Sequence, residues 1–573
     1  MELSFGIIGD GAASAKIPPS GPFRLAVLGD FSGGANKGRL EVGDDLARRK
    51  PLRVDVDNLD QVMARLKITL SLPMTGEGAV EFPVAGIDDF HPDQLYEKVE
   101  LFSAMSELRQ KISSKSGFAS AQKAMVGWRA EPAPPPLRGL KRPRGATVPK
   151  GGKLSDFAKL IGQPTASEDA GSVDIDELLK AVVRPYIVKA KDPAQAVLLK
   201  SVDTALAATM RKVLHHPDFQ ILESLWRSID FLTRRLATST TLQIVLYDVS
   251  AEEFAADLSA TDSLEETGLF KLLVENPSTD ANQGALSAFI GTYMFDHTPP
   301  QAELLGRMAK IAAQANAPFI SAINPDFLKT KPEEIHPLIT EAWDGLAALD
   351  EAKYLALVTP RFLLRQPYGE RTDPIDSFDD FEEFTPQTGI KGFLWANPAI
   401  AAGLLLAQTY AKQGAKMNLG SIMSMGDIPY YFYVDEDGDQ TALPCTEKLM
   451  SERVAAIVRQ LHFLPMVSIK GRPEIRLGGF NSIAGPAIAG RWPEPVGNVI
   501  KAAPVEEAAE DEAGEEGAEA SEETSSDDLD SLMASLDDTP AETSEEAPSE
   551  DAPAEESGEG EMDPELAELL KGL

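Results

Sequence analysis

The amino-acid sequence predicts an α/β (α+β) protein in which two folded units with mixed sheets are joined by a linker and followed by a disordered acidic tail. Short apolar runs alternate with amphipathic helical stretches over residues 22–113 and again over residues 173–500, the pattern of units that pack helices on sheets. Residues 114–172 are instead rich in Pro, Gly and basic residues, which predicts a flexible linker. Residues 1–21 form a short N-terminal segment, and the low-complexity residues 501–573 form the tail.

The first unit begins with an apolar strand, PFRLAVLGDF (22–31), which runs into a turn. Next, RKPLRVDVDNLDQVMARL (49–66) predicts a short strand and a helix that Asp57 or Asn58 caps. A hairpin and an amphipathic helix over residues 68–112 complete the unit.

A Gly-rich stretch after the first strand, GDFSGGANKG (29–38), resembles a phosphate-binding loop only in its glycines. Ala35 occupies the position of the lysine that would meet the β- and γ-phosphates, and no Lys-Ser or Lys-Thr pair follows it. The stretch is therefore interpreted as a structural turn rather than as a nucleotide site.

The central helix of the second unit is predicted over residues 212–236. Pro217 and Asp218 suit its first turn, and Arg234 and Arg235 suit its last turn, where positive charge complements the helix dipole. Its apolar stripe recurs at three- and four-residue steps and consists of Phe219, Leu222, Leu225, Trp226, Ile229 and Leu232.

Strands and helices alternate through the rest of the second unit. Residues 242–258 predict a strand and then a helix that begins with a capping box formed by Ser250 and Glu253. Further strands are predicted at LSAFIGTYMF, PFISAIN, KYLALVTPRFLLRQPYG and LPMVSIKG, further helices at AELLGRMAKIAAQANA, NPAIAAGLLLAQTYAKQG and SERVAAIVRQ, and a hairpin at DIPYYFYVDEDGDQTALP.

Charge and composition exclude several classes of protein. The formal net charge is −36, and the tail alone carries 27 Asp and Glu against two Lys, which leaves −11 for the first 500 residues. A folded part without basic excess argues against a nucleic-acid partner. No apolar run is long enough for membrane insertion, and the N-terminus lacks a secretory signal, so a cytoplasmic (bacterial) location is expected. The single cysteine, Cys445, excludes a disulfide framework and multi-cysteine metal sites.

No residue pattern in the sequence predicts catalysis, a metal site or a cofactor. Asp88, Asp89 and His91 precede a helix and are interpreted as capping residues rather than as metal ligands. The adjacent His215 and His216 point in different directions on a helix and are interpreted as residues that start it. The sequence contains no nucleophile elbow, HExxH array or dinucleotide fingerprint. We therefore expect that the protein is not an enzyme.

Two short amphipathic islands interrupt the tail, LDSLMASL (529–536) and PELAELLKGL (564–573). One interpretation is residual helicity in a solubilising tail. The other is a pair of docking motifs that become helical against an apolar groove of a partner. Their candidate partner-binding residues are Leu529, Leu532, Leu536, Leu566, Leu569 and Leu570.

The motifs of the second unit resemble the large subunit of the bacterial type VI secretion contractile sheath. They follow that family's order over much of residues 214–471. The matching stretches are LHHPDFQILESLWRSIDFL, LQIVLYDVS, AFIGTYMFDHTPPQAELLGRMAKIAAQANAPFISAINPDFL, YLALVTPRFLLRQPYG, FLWANPAIAAGLLLAQTYA and LHFLPMVSIKG. The first unit resembles the small sheath subunit at FRLAVLGDFSG, RKPLRVDVDNLDQVMARL and IDDFHPDQLYEKVELFSAMSEL.

The resemblance implies a structural component of a contractile sheath, with the small and large subunits fused. Such sheaths polymerise around an inner tube of Hcp-like protein, assemble on baseplate proteins, contract to propel the tube, and are disassembled by an AAA+ recycling ATPase. The implied partners are therefore other sheath protomers, the inner tube protein, baseplate proteins and the ATPase. Fusion would enforce one-to-one stoichiometry of the two halves.

The resemblance also implies a binding segment for the recycling ATPase, which grips an N-terminal helix of the large subunit. The matching segment is Asp174 to Val183, with Leu178, Leu179 and Val182 as the apolar contacts. After the LHFLPMVSIKG-like strand, the family continues into a C-terminal region that connects protomers, whereas this chain turns into the acidic tail. An alternative function follows: a sheath-derived adaptor or regulator that does not polymerise and docks sheath, baseplate or tube components through the tail.

Overall fold

Strands from both predicted units form one mixed sheet. The computed structural model describes residues 3–9, 21–73, 79–130, 175–187, 194–280, 283–330, 334–377, 381–385, 389–434 and 440–493. The strands are β1 (Phe23–Gly29), β2 (Leu52–Val54), β3 (Ile68–Pro73), β4 (Ala79–Val84), β5 (Leu242–Asp248), β6 (Ala288–Phe295), β7 (Phe319–Ile323), β8 (Leu355–Thr359), β9 (Phe362–Arg365), β10 (Leu394–Ala396), β11 (Ser424–Met425), β12 (Phe432–Val434), β13 (Gln440–Ala442), β14 (Leu464–Ser468) and β15 (Ile475–Leu477).

Helices cover both faces of the sheet. They are α1 (Asp44–Ala47), α2 (Leu59–Leu66), α3 (Pro92–Lys98), α4 (Glu100–Ser113), α5 (Phe118–Ala130), α6 (Ile175–Val183), α7 (Gln195–Leu214), α8 (Pro217–Arg235), α9 (Ala251–Ser259), α10 (Gly268–Phe270), α11 (Asn276–Thr279), α12 (Pro299–Ala315), α13 (Pro337–Ala347), α14 (Pro398–Gln413) and α15 (Glu452–Gln460). The predicted α/β class and the mixed sheet are confirmed.

The main sheet has nine strands within the described ranges, in the order β11-β15-β14-β8-β7-β6-β1-β5-β2. The six strands from β14 to β5 are parallel, and the strands outside them, β15 and β2, pair antiparallel to their neighbours. Separate two-stranded sheets pair β3 with β4, β9 with β10 and β12 with β13. The two predicted hairpins are therefore present.

β1 lies in the interior of this sheet although it is the first strand of the chain. It pairs in parallel with β5 from Phe23 opposite Leu242, and with β6 from Leu25 opposite Ala288. The sequence assigns β1 and β5 to different units, and the structure combines them, because a strand that is apolar on both faces buries both only between covered neighbours. Apart from the start of the predicted linker, the predicted boundaries of the two units stay predictions.

The two faces of β1 belong to two hydrophobic cores. Leu25 and Val27 pack into a core that also contains residues of α4, α7, α8 and α14. Ala26 and Leu28 point to the opposite face, into a core built with α9, α12 and α13. Because successive residues of a strand point to opposite faces, each pair of neighbours in β1 connects both layers of helices to the sheet.

α8 confirms the central helix and its apolar stripe, but the helix begins at Pro217 rather than at residue 212. Pro217 is its first residue, and the Nδ1 atom of His216 accepts a hydrogen bond from the Asp218 backbone N–H at 3.2 Å. The interpretation of His215 as a residue that starts this helix is wrong, because His215 lies at the C-terminal end of α7. Phe219 and Trp226 on the predicted stripe are fully buried. The capping interpretation is also confirmed at His91, whose Nδ1 atom accepts from the Asp93 N–H at the start of α3.

The structure corrects two further predictions. The predicted linker 114–172 begins too early, because Phe118–Ala130 is a helix, α5, whose Ala121 and Met125 are buried in the core. Asn58 occupies the cap position of α2 without capping it through its side chain. Its amide oxygen accepts instead from the backbone N–H of Asp55, at 3.1 Å.

Candidate functional site

An extensive contact surface of the described chain is internal. We define the junction as the contact between the stretch 21–130 and the stretch 175–493. It includes the pairing of β1 with β5 and β6, and it continues along α8. The Nε1 atom of Trp226 on α8 donates to the Phe31 carbonyl at 3.1 Å, and the two rings lie 5.3 Å apart.

Aromatic packing extends the junction toward the N-terminal end of α8. The ring of Phe219 lies 5.9 Å from that of Phe82 on β4 and 5.6 Å from that of Phe90. All three side chains are buried. Such aromatic pairs contribute beyond the area that they bury, so α8 connects the two stretches through its apolar stripe.

A buried cluster of ion pairs stabilises the other side of α8. The Arg365 guanidinium on β9 donates to Glu223 on α8 at 2.8 Å and to Glu383 at 2.7 Å. Arg227 donates to Glu223 at 2.7 Å and to the hydroxyl of Tyr368 at 2.9 Å. Glu223 and Glu383 are fully buried. Because both carboxylates are in the interior, each depends on these cations for compensation.

The charges around Glu383 favour the ionised form of its carboxylate. Burial by itself raises the pKa of Glu383, but the charges and hydrogen bonds of Arg365 and His215 together outweigh it and hold that pKa at about 2. His215 lies 3.6 Å from Glu383 and acts in the same direction. Sequence reasoning missed the cluster. Its signal was Glu223, a charged residue within the apolar stripe of a helix.

The cluster lies next to a second polar contact across the junction. The Asp93 carboxylate of α3 accepts hydrogen bonds from the Ser377 hydroxyl at 2.6 Å, from the Ser377 N–H at 2.9 Å and from the Asp376 N–H at 3.1 Å. His91 stacks edge-on against the ring of Tyr368 at 5.0 Å. Residues that begin α3 therefore also fix the segment that carries the buried cluster.

The Gly-rich stretch after β1 is a closed turn. The Asp30 carboxylate accepts from the backbone N–H groups of Gly34 at 2.6 Å and Ala35 at 2.9 Å. In a phosphate-binding loop such N–H groups face the ligand. Here a side chain of the protein occupies them, in agreement with the structural interpretation of the stretch. Burial, and then the charge of Asp248, raise the pKa of Asp30 to about 6.

The edge where β1 and β5 end is filled by a salt-bridge network. Open parallel sheets usually bind ligands at this edge, where the strand order reverses. Asp248 accepts from Arg39 at 2.7 Å, and Glu253 accepts from Arg49 at 2.7 Å. Glu253 also completes the predicted capping box with Ser250. The side chains of this chain therefore occupy the position of a ligand.

The predicted partner-binding residues of α6 are core residues. Leu178, Leu179 and Val182 are at most 7% exposed and pack with α4 and α7. A partner could reach them only if α6 separated from the body of the protein. Six other predicted contacts lie outside the described residues: Leu529, Leu532, Leu536, Leu566, Leu569 and Leu570.

The main sheet also has two outer strands. In the described ranges, β2 and β11 are the outermost strands of the main sheet, and β2 pairs with β5 and β11 with β15. Across the same ranges, no group of three or more His, Cys, Asp or Glu residues is arranged to hold a metal ion. Nor does any helix in this part of the chain have the length and apolar character needed to cross a bilayer.

Comparison with known proteins identifies both stretches. Residues 196–484 match the family model of VipB, described as EvpB/VC_A0108, tail sheath N-terminal domain. Residues 14–124 match the family model described as Type VI secretion system, VipA, VC_A0107 or Hcp2. The type VI secretion system sheath protein TssC1 of Pseudomonas aeruginosa is 30% identical over 358 residues, which cover 58% of this chain and 72% of that protein. The chain therefore belongs to the type VI secretion system sheath family and contains regions of both the small and the large sheath subunit.

Proposed function

We propose that this chain is a fused protomer of a contractile sheath that assembles around an inner tube and contracts to propel it. The observation that supports this proposal is the position of β1. This strand comes from the region similar to the small subunit, and it lies between β5 and β6, which come from the region similar to the large subunit. One polypeptide thus supplies a shared sheet, so the protomer needs no separate small subunit to complete it.

Its partners follow from this role. Other sheath protomers would add along the outermost strands of the main sheet, β2 and β11. An Hcp-like inner tube protein, baseplate proteins and a recycling ATPase would complete the machine in the bacterial cytoplasm. The work of such a protein is assembly without turnover, so we assign it no catalytic residue.

Electron microscopy tests assembly. The full chain, imaged by negative stain over a range of concentrations, is expected to form tubules of regular diameter. The alternative function is a sheath-derived adaptor that docks partners through its acidic tail, where 27 Asp and Glu face two Lys. Particles that stay small and uniform at the highest concentration would contradict the sheath proposal and favour the adaptor.

Cleaving the chain between the stretches 21–130 and 175–493 is expected to leave the two fragments associated. A protease site inserted within residues 131–174 allows the cut to be made in the folded protein. Because β1 pairs on both sides and Trp226 packs on Phe31, both fragments should elute together from a sizing column. The same sample in denaturant supplies the control, since the fragments must then separate. Separate elution without denaturant would mean that the junction is not self-sufficient.

We further propose that α6 is bound by the recycling ATPase only after it leaves the core. The burial of Leu178 and Leu179 supports a requirement for release, since a buried apolar face is not available to a partner. A labelled peptide of residues 172–188 is expected to bind the cognate ATPase in an anisotropy titration, whereas the folded chain should compete weakly.

A matched peptide with Leu178→Asp and Leu179→Asp keeps the length and removes the apolar contacts. It should not bind. If neither peptide binds, the assignment of α6 as the ATPase-binding segment is wrong.

A further inference from the structure

An arginine lies beside a small cleft at the edge of the sheet where β1 begins. Arg491 lines this cleft with Phe23, Ser287, Tyr410 and Trp492, and the interior volume is about 20 Å³. The Nε atom of Arg491 is buried and has no hydrogen-bond acceptor. The described part of the chain supplies neither a hydrogen bond nor a salt bridge to this guanidinium. A cation therefore lies in a partly closed site to which the described residues supply no counter-charge.

The surroundings of Arg491 disfavour its charge. Burial, and then the charge of Arg24, lower the pKa of Arg491 to about 10, so it is still protonated at neutral pH. Arg24 itself donates to Gln243 at 2.9 Å and to the Ala285 carbonyl at 3.2 Å. A desolvated guanidinium next to a second one costs free energy unless an anion compensates it.

The size and chemistry of the cleft select a carboxylate. Its interior has room for roughly one or two water-sized groups, which matches a carboxylate better than a larger anion. A guanidinium donates to a carboxylate through two parallel N–H groups. The aromatic walls formed by Phe23, Tyr410 and Trp492 would exclude water from the contact and strengthen it.

We propose that a carboxylate of the acidic tail, residues 501–573 of the same chain, binds Arg491 in this cleft. Charge and connectivity support this occupant. The tail follows the cleft residue Trp492 after only a few residues and carries 27 Asp and Glu against two Lys. About fourteen residues separate Trp492 from Glu506, and a random coil of that length would span roughly 20 Å, enough to bring a tail carboxylate to Arg491. Tethering raises its effective concentration to the millimolar range.

A double-mutant cycle on the full chain tests the proposal. One change is Arg491→Gln, and the other converts every Asp and Glu of residues 501–573 to Asn and Gln. With the native tail, Arg491→Gln is expected to lower the thermal midpoint by about 1–3 °C. With the neutral tail it should raise the midpoint or leave it unchanged, because it then removes only an uncompensated charge. Addition of 0.5 M NaCl should weaken the difference.

Further variants distinguish the outcomes. Arg491→Lys should retain part of the coupling, and Arg453→Gln, which removes an exposed charge, should show none. If Arg491→Gln raised the thermal midpoint equally with the native and with the neutral tail, the cleft would hold no anion. This result would overturn the proposal. A midpoint that falls equally with both tails would identify an acceptor outside the tail, such as Glu494, and would also overturn it.

Discussion

Replacing Arg365 by methionine is expected to lower the free energy of unfolding by about 3–5 kcal/mol. The change keeps the apolar stem and removes the cation that Glu223 and Glu383 share. Both carboxylates would then be buried with too little positive charge nearby. The remaining arginine of the cluster, Arg227, contacts Glu223 but not Glu383. Chemical denaturation of the full chain, followed by tryptophan fluorescence, measures the loss.

A matched control lies on the same helix. Arg234 pairs with Asp230 at 2.7 Å, but its side chain is 62% exposed. Arg234→Met should therefore cost less than about 1 kcal/mol, because water already screens that pair. If the two methionine variants lost similar stability, the buried cluster would not be the stabilising element that its geometry indicates.

The same cluster predicts a pH dependence of stability. The folded pKa of Glu383, about 2, lies below its ordinary value near 4.5. Its ionised form therefore contributes stability above pH 4.5, and this contribution is lost as the pH falls from about 4.5 to about 2. Arg365→Met removes the main cause of the lowered pKa, so the slope in this window should decrease in that variant.

Replacing Trp226 by alanine is expected to lower the free energy of unfolding by about 3–5 kcal/mol. Trp226 is fully buried, and its indole N–H satisfies the Phe31 carbonyl. The substitution leaves a cavity at the junction and a buried carbonyl without its donor. A shift of the denaturation midpoint at unchanged slope would measure the loss as one of stability.

Ile221 on the same helix provides the control for this second substitution. Its side chain is 60% exposed, so Ile221→Ala should change stability by less than about 0.5 kcal/mol. A large effect at Ile221 together with a small one at Trp226 would contradict the orientation of α8. For the cut protein, Trp226→Ala should also weaken the association of the two fragments.

Local sequence patterns predicted most of the individual elements. The apolar stripe of α8, the capping box of Ser250 and Glu253, and both hairpins follow from spacing and residue type, because these features depend on neighbours within a few residues. The stretch around Asp30 was predicted to be a structural turn because it lacks the lysine that a phosphate-binding loop requires. Helix α5 was missed because its small residues give a weak periodicity, and tertiary contacts at Ala121 and Met125 decide its structure.

Local sequence patterns could not predict the contacts between distant segments of the chain. Nothing in the sequence near Phe23 specifies that β1 pairs with residues 242–248 and 288–291, because a strand that is apolar on both faces fits any buried position in a sheet. The buried cluster likewise joins Glu223, Arg365 and Glu383 from distant parts of the chain. The burial of α6 also became visible only in the structure, since its apolar face suits a core as well as a partner.

The interior position of β1 has a consequence for synthesis. Phe23 pairs with Leu242, and Leu25 pairs with Ala288, so the first strand leaves the ribosome long before either neighbour exists. At roughly 5–20 residues per second, it waits on the order of 10–40 s for β5 alone. During that time both of its edges are unpaired and both of its faces are apolar and uncovered, which favours aggregation or chaperone binding. Fusing the two regions therefore makes maturation of the first dependent on translation of the second.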